Sequence, residues 1–264
     1  HTRGTEDGNK ILKAMDTVGL ERVVLFAVPP HRSEVAKAEK EPHKKIIDDI
    51  AKLAKADPER LIGFAWIEPT LPDAEAGVDY ALGEKGLRGV KMIPNHWYPA
   101  DERAQACYKK IDGYKKPMLF HTGILWGTSD TSQYCRPAFY EIMLHYPNIK
   151  FAMAHMSWPW TDECFAVCGK FRAAGGYKKD NWRVFVDITS GAPRIWKVDA
   201  VRKALAYLGD RNLIYGSDCF NAESPDDLSG NLQMDREILN ECGCSDETME
   251  RVFTKNTLDW LGIT

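Results

Sequence analysis

Hydrophobic runs that stop abruptly at a polar residue recur along this chain. PMLFHTG, IKFAMAH and NLIYGSD bring His121, His155 and Asp218 to the ends of apolar stretches. Short runs of this kind, bounded by turn residues, read as strands buried on both faces. RVVLFAV (22–28), LIGFAWI (61–67), LRGVKMI (87–93) and RVFVDI (183–188) raise the set to seven. A segment of helical period at 8–19 precedes them, others at 43–56, 73–84, 101–112, 137–146, 161–174 and 197–208 lie between them, and the chain closes with helices at 231–241, 246–254 and 255–261. The alternation predicts a parallel sheet wrapped by helices, an α/β fold of the (β/α)8 TIM-barrel class. In such a barrel every strand opens at its carboxyl end onto one face, so His121, His155 and Asp218 are expected to share it.

A closed barrel of this type has eight strands. Seven are visible, and a helix at 8–19 precedes the first of them. The expectation is that the first strand lies before residue 1, so that residues 1–264 form a single barrel domain that is incomplete at its N-terminus. No linker, low-complexity tract or short repeat divides the chain.

Composition narrows the function classes. With 264 residues, 44% of them hydrophobic, and eight tryptophans, the chain can bury a large core. A net charge of -3, with basic and acidic residues interspersed, argues against nucleic acid as a partner. No apolar run reaches the ~18 residues of a membrane span, and HTRGTEDGNK lacks the pattern of a signal peptide. The expectation is a cytoplasmic protein acting on a small molecule, with no membrane partner. The seven cysteines sit mostly in predicted helices or beside strand ends, which suits reduced thiols better than a disulfide scaffold. Cys164/Cys168 and Cys242/Cys244 lack the paired spacing of a zinc ribbon, and Cys219 reads as a buried spacer beside Asp218.

Imidazole and carboxylate suit a divalent metal such as zinc or manganese, and a catalytic site keeps one coordination position open. A histidine that ends one core strand can equally cap the sheet by bonding backbone carbonyls; two of them together with Asp218 favour function. His155 suits general acid or base work. Asp218 suits either a ligand or a proton shuttle. Asp187 in VFVDITSG points to the same face and reads as a substrate or ligand-supporting group, or equally as an acceptor for loop amides. His31, His43 and His145 are expected at the surface. Lys91, in LRGVKMI, is expected to contact a substrate carboxylate or form an ion pair inside the barrel. Trp126, Trp158 and Arg136 in the strand-end loops suit a planar carboxylated or phenolic substrate, although loop tryptophans are also ordinary packing residues.

FHTG, AHMS and YGSD, the turn GLRGVK at 86–91, HYPNIKF ahead of His155 and KNTLDWLG near the C-terminus together resemble the amidohydrolase-related metal-dependent hydrolases. That group includes decarboxylases of the aminocarboxymuconate-semialdehyde, resorcylate and carboxyvanillate types. The resemblance covers nearly the whole chain in order. It implies a metal-binding His-x-His or Glu-x-His pair on the first strand, which this sequence does not contain, and places His121 on the fifth strand as a ligand. It places His155 on the sixth strand near a metal-bound water and Asp218 on the eighth. It further implies one divalent metal ion, zinc ahead of manganese, and homo-oligomers.

Three functions remain open on the residues. The first is a metal-dependent hydrolase of a small carboxylated or aromatic substrate, using a metal-activated water. The second is a non-oxidative decarboxylase (a lyase) of an aromatic or unsaturated acid, and the third a catalytically silent barrel that binds a ligand or partner. The hydrolase is preferred, because activation of water is the more general use of such a constellation.

Overall fold

The structure, a computed structural model, describes residues 6–27, 40–126, 130–177 and 182–263. His1 and His31 lie outside them. The chain packs as two compact units, one of residues 1–92, 102–116 and 217–230, the other of residues 93–101, 117–216 and 231–264.

The first unit carries three parallel strands, β1 (Val23–Leu25), β2 (Leu61–Trp66) and β3 (Gly89–Met92), with Val23 opposite Leu61 and Phe64 opposite Gly89. All six residues of β2 are buried, which is why LIGFAW shows no alternation of polar and apolar positions. Helix α1 (Gly8–Val18) starts where the Asp7 side chain accepts from the Asn9 amide, 2.8 Å, and ends at Gly19 in the left-handed region. Helix α2 (Pro42–Ala54) begins with proline and buries Ile46, Ile47 and Ile50. Helix α3 (Ala74–Asp79) runs into a π-helical turn at Tyr80–Glu84, and α4 (Glu102–Tyr114) follows.

The second unit holds β4 (Met118–Phe120), β5 (Phe151–Met153), β6 (Val184–Asp187) and β7 (Leu213–Ile214), parallel and in chain order. Met118 pairs with Phe151, Phe151 with Val184, and Val186 with Leu213, so the strands stand in step. Helices α5 (Thr161–Ala174) and α6 (Arg194–Leu208) lie between these strands in sequence. Short α7 (Pro225–Ser229) belongs to the first unit, and α8 (Leu232–Glu241), α9 (Asp246–Glu250) and α10 (Asn256–Leu261) to the second. The segment expected as a helix at 137–146 is a 3-10 helix, Pro137–His145.

His43 corrects the sequence reading. It is fully buried rather than at the surface. Its Nδ1 meets Asp73 Oδ1 at 2.6 Å, its amide donates to Asp73 Oδ2 at 3.0 Å, and its Nε2 accepts from the Glu68 amide at 2.9 Å. Both ring nitrogens and the backbone are therefore used to tie the start of α2 to the segment after β2. His145 is exposed, as expected. No helix among the described residues is long and apolar enough to cross a membrane.

Candidate active site

The strands β4, β5 and β6 of the second unit end in a connected set of polar groups. His121 directly follows β4 and is 7% exposed; His155 follows β5, half-buried, with the two ring centres 5.0 Å apart. Phe120 stands opposite Met153, which brings His121 level with Ala154, and His155 follows one residue later.

Side chains and backbone lock these strand ends together. Thr122 Oγ1 donates to the Ala154 carbonyl at 2.6 Å, Ser157 Oγ donates to Thr122 Oγ1 at 2.8 Å, and the Ile124 amide donates to the Trp158 carbonyl at 2.7 Å. Gly123 sits at φ +89°, where a Cβ would fall 2.3 Å from the Trp158 carbonyl oxygen, so the FHTG glycine is required by close backbone approach. Tyr140, fully buried, donates its hydroxyl to the His121 carbonyl at 2.6 Å.

The backbone after β5 is strained. His155, Met156 and Ser157 all have positive φ, at 58°, 48° and 55°. Such positions cost non-glycine residues roughly 1–3 kcal/mol each and concentrate at functional sites. Asp218, on the segment that follows β7, also has positive φ, at 52°.

Hydrogen bonding sets the ring protons. The Ser190 carbonyl lies 2.5 Å from His155 Nδ1, with Thr189 Oγ1 at 2.8 Å from the same atom. A carbonyl oxygen only accepts, so Nδ1 holds a proton and proton exchange falls to Nε2. Likewise His121 Nε2 stands 3.1 Å from the Ile124 carbonyl, which assigns the proton to Nε2. The loop that holds His155 is itself held: Asp187, 6% exposed, accepts the Thr189 amide at 2.6 Å through Oδ1. Gly216 admits Thr189, whose Cγ2 would lie 2.6 Å from a Cβ there. Asp187 is thus an acceptor for loop amides, one of its two expected roles.

The tryptophans form a stepped wall beside the histidines. Trp126 stacks on Trp158 at 5.9 Å and 17°, and Trp158 meets Trp196 at 5.6 Å and 43°. Trp126 and Trp196 are exposed at 64% and 55%. Arg136 is exposed and engaged locally: its Nη2 bonds Glu163 at 2.6 Å and its guanidinium lies 5.7 Å from the centre of the Trp160 ring. Lys91 and Asp218 belong to the first unit. Lys91 is 4% exposed, its ammonium 5.4 Å over the Phe26 ring, which in turn packs edge-on against Trp66 at 6.1 Å. Asp218 is half-buried.

Sequence reasoning missed two participants, Thr189 and Ser190, which grip His155. The only signal for Thr189 and Ser190 was the run of small polar residues after VFVD, which by itself reads as a turn.

Comparison with known proteins places this geometry. The family model described as amidohydrolase matches residues 14–263. The chain belongs to the amidohydrolase family. It is an enzyme of that family. The 2,6-dihydroxybenzoate decarboxylase from Rhizobium superposes with a TM-score of 0.66 at 13% identity, over 95% of this chain and 87% of that one. A 5-carboxyvanillate decarboxylase from Novosphingobium aromaticivorans, complexed with manganese and a nitrobenzoic acid, gives 0.66 at 14% identity, over 96% and 79%. An uncharacterized TIM-barrel protein from Bordetella bronchiseptica gives 0.67 at 17% identity, over 96% and 82%. These likenesses show the fold, a parallel α/β barrel of the TIM class. No curated protein sequence matches the chain.

Members of the superfamily use a metal, and the residues present fit one in part. His121, with its Nε2 proton on a backbone carbonyl, has the bonding pattern usual for a metal-binding imidazole. A catalytic zinc site uses three protein ligands, however, and among the described residues no group of three or more His, Cys, Asp or Glu is arranged to hold an ion. The first-strand pair implied by the resemblance would be needed to complete the set.

Proposed function

We propose that this protein is a non-oxidative decarboxylase of a small planar aromatic or unsaturated acid. The observation that carries the reading is the juxtaposition, at the ends of β4 and β5, of a proton-bearing imidazole with a tryptophan wall. Trp158 is three residues beyond His155, and its amide donates to the His155 carbonyl at 3.0 Å. Loss of carbon dioxide from an aromatic carboxylate must be balanced by a proton delivered to the same carbon. In its imidazolium form His155 gives that proton from Nε2 and solvent restores it, while the Ser190 carbonyl, on the Nδ1 proton, keeps the ring oriented throughout. Trp126 and Trp158 offer π-faces to a planar substrate and exclude water from the reacting carbon. Two structures similar in fold carry names of benzoate and vanillate decarboxylases, which supports the same reading.

One divalent metal ion completes the proposal, zinc or manganese, with His121 and Asp218 as ligands by their motifs and Asp218 as a second proton-carrying group. When bound, such an ion grips and polarises a carboxylate or its neighbouring oxygen. Lys91, Trp126, Arg136 and Trp158 are proposed to contact substrate. A cytoplasmic, single-domain, oligomeric protein belongs to the same reading.

Hydrolysis is the second reading, favoured by the family match itself, since the matching model is that of the amidohydrolases. The deciding experiment incubates the full-length protein, loaded with zinc or manganese, with a panel of hydroxybenzoates and with ester and amide substrates. Carbon dioxide release without consumption of water supports decarboxylation; turnover confined to the esters or amides overturns it. Metal analysis of the same protein is expected to give about one equivalent. Less than about half an equivalent after supplementation would count against both readings and favour a silent barrel.

A further inference from the structure

Lys197 and Asp235 form an ion pair whose two side chains are fully buried, and the proposed chemistry uses neither. Taking two charges out of water offsets most of their attraction, so such a pair adds little net stability over apolar side chains of the same size. Its best-attested use is to fix one arrangement of the elements it joins. Here those elements are the first turn of α6 and the helix α8.

Polar ties to α8 gather on one face of that turn. Arg194 Nη2 bonds Glu241 Oε2 at 3.0 Å, Lys197 meets Asp235, and the Cys242 thiol, just past α8, donates to the Val198 carbonyl at 3.7 Å. Positions 194, 197 and 198 are spaced i, i+3 and i+4, which sets them side by side on a helix. The start of α6 has no side-chain cap to hold it, since Pro193 stands at the N-cap. Trp196 lies off the tied face and is 55% exposed, with its ring 5.6 Å from that of Trp158. A side chain so exposed has few contacts of its own, and its place in the tryptophan wall depends on where the turn beneath it is held. The segment leading into that turn carries Thr189 and Ser190, which hold His155.

We propose that Lys197 and Asp235 are positioning residues that pin the first turn of α6 against α8 and so keep Trp196 on Trp158, as the third ring of the surface that meets the substrate, a role that rests on the reading of this wall as the place where an aromatic acid binds.

The test uses the full-length protein, loaded with zinc or manganese, as wild type, as Trp196→Phe, and as Lys197→Met combined with Asp235→Leu, which removes both charges together and strands neither. Far-ultraviolet circular dichroism reads the exciton couplet of neighbouring indoles, and the part lost in Trp196→Phe belongs to the contact with Trp158. The double variant is expected to fold with a urea midpoint near that of wild type, to lose the same part of the couplet, and to show a several-fold higher KM for a hydroxybenzoate that wild type turns over, with little change in kcat. Adding Trp196→Phe to it should change neither reading further.

A double variant that keeps the wild-type couplet overturns the proposal, because a pair of purely structural value leaves the wall in place once stability is restored. A lost couplet with unchanged KM overturns it as well. If wild type turns over no acid, the decarboxylase reading fails by itself, and the couplet alone decides whether the pair positions Trp196. Should the double variant not fold, NMR on wild type decides. A nitrogen heteronuclear NOE for the Trp196 indole as high as those of the α6 backbone amides is expected, and a low value, from a freely turning ring, overturns the proposal.

Discussion

The Ser190 carbonyl oxygen lies 2.5 Å from His155 Nδ1, joining the ends of β6 and β5 and leaving a single nitrogen of that imidazole to exchange a proton. His155→Asn keeps a polar side chain but removes that nitrogen. Turnover should fall about 10²- to 10⁴-fold, the usual contribution of general acid or base catalysis, with the far-ultraviolet circular dichroism spectrum unchanged. A loss smaller than about tenfold would remove His155 from the chemistry.

Thr189→Val tests the other contact to Nδ1. It deletes the hydroxyl at 2.8 Å while the Ser190 carbonyl stays. A several-fold drop in kcat with little change in KM is expected; a larger effect on KM would mean that Thr189 meets substrate.

Gly123→Ala should be among the most damaging single changes in the second unit. The added methyl would sit 2.3 Å from the Trp158 carbonyl at φ +89°. Strain and the clash together predict a loss on the order of 3 kcal/mol or more, read as a shift in urea midpoint. A near-neutral result would show that the β4 and β5 ends do not pack as described.

Asp73 predicts an acid limb of stability. Burial alone would raise its carboxyl, but hydrogen bonds from the His43 ring and amide outweigh burial and hold it below the usual carboxylate value. A lowered folded-state pKa contributes stability above the unfolded value of about 3.9, and that contribution is lost as pH falls through the folded one. Urea unfolding from pH 7 down to pH 2 should therefore show wild type losing its advantage over Asp73→Asn only below about pH 4. A constant gap between the two across that range would assign the effect to packing.

Lys197 and Asp235 form an ion pair between α6 and α8 in which both side chains are fully buried. Burial pushes the Asp235 carboxyl up while Lys197 opposes the shift, and Oδ2 of Asp235 has no hydrogen-bond partner among the described residues. Lys197→Met alone should cost about 3–5 kcal/mol by stranding a buried carboxylate, whereas Lys197→Met with Asp235→Leu should recover most of it. A double variant no more stable than the single one would show that the pair itself is favourable.

The hydrophobic pattern determined a great deal of this protein. The seven runs are the seven strands of the described residues, trimmed at their ends: PMLFH contracts to Met118–Phe120 and IKFAMAH to Phe151–Met153. Apolar periodicity is a local property, written in neighbouring residues, and it carried the fold class and the positions of His121 and His155 with it. Family motifs spread over the chain pointed to the superfamily that residues 14–263 match.

Tertiary structure decided what those residues touch. His43 looked like a surface residue at a helix start, yet its partners Asp73 and Glu68 stand 30 and 25 positions away. The grip of Ser190 and Thr189 on His155 spans 35 and 34 positions, and Lys197 meets Asp235 across 38. The left-handed backbone of His155, Met156 and Ser157 was equally silent in AHMS, since nothing in those residue types favours positive φ. Burial and hydrogen bonding between distant segments depend on how strands stack in register, and that register, not the composition of any one segment, sets which ring nitrogen holds a proton and which is left for chemistry.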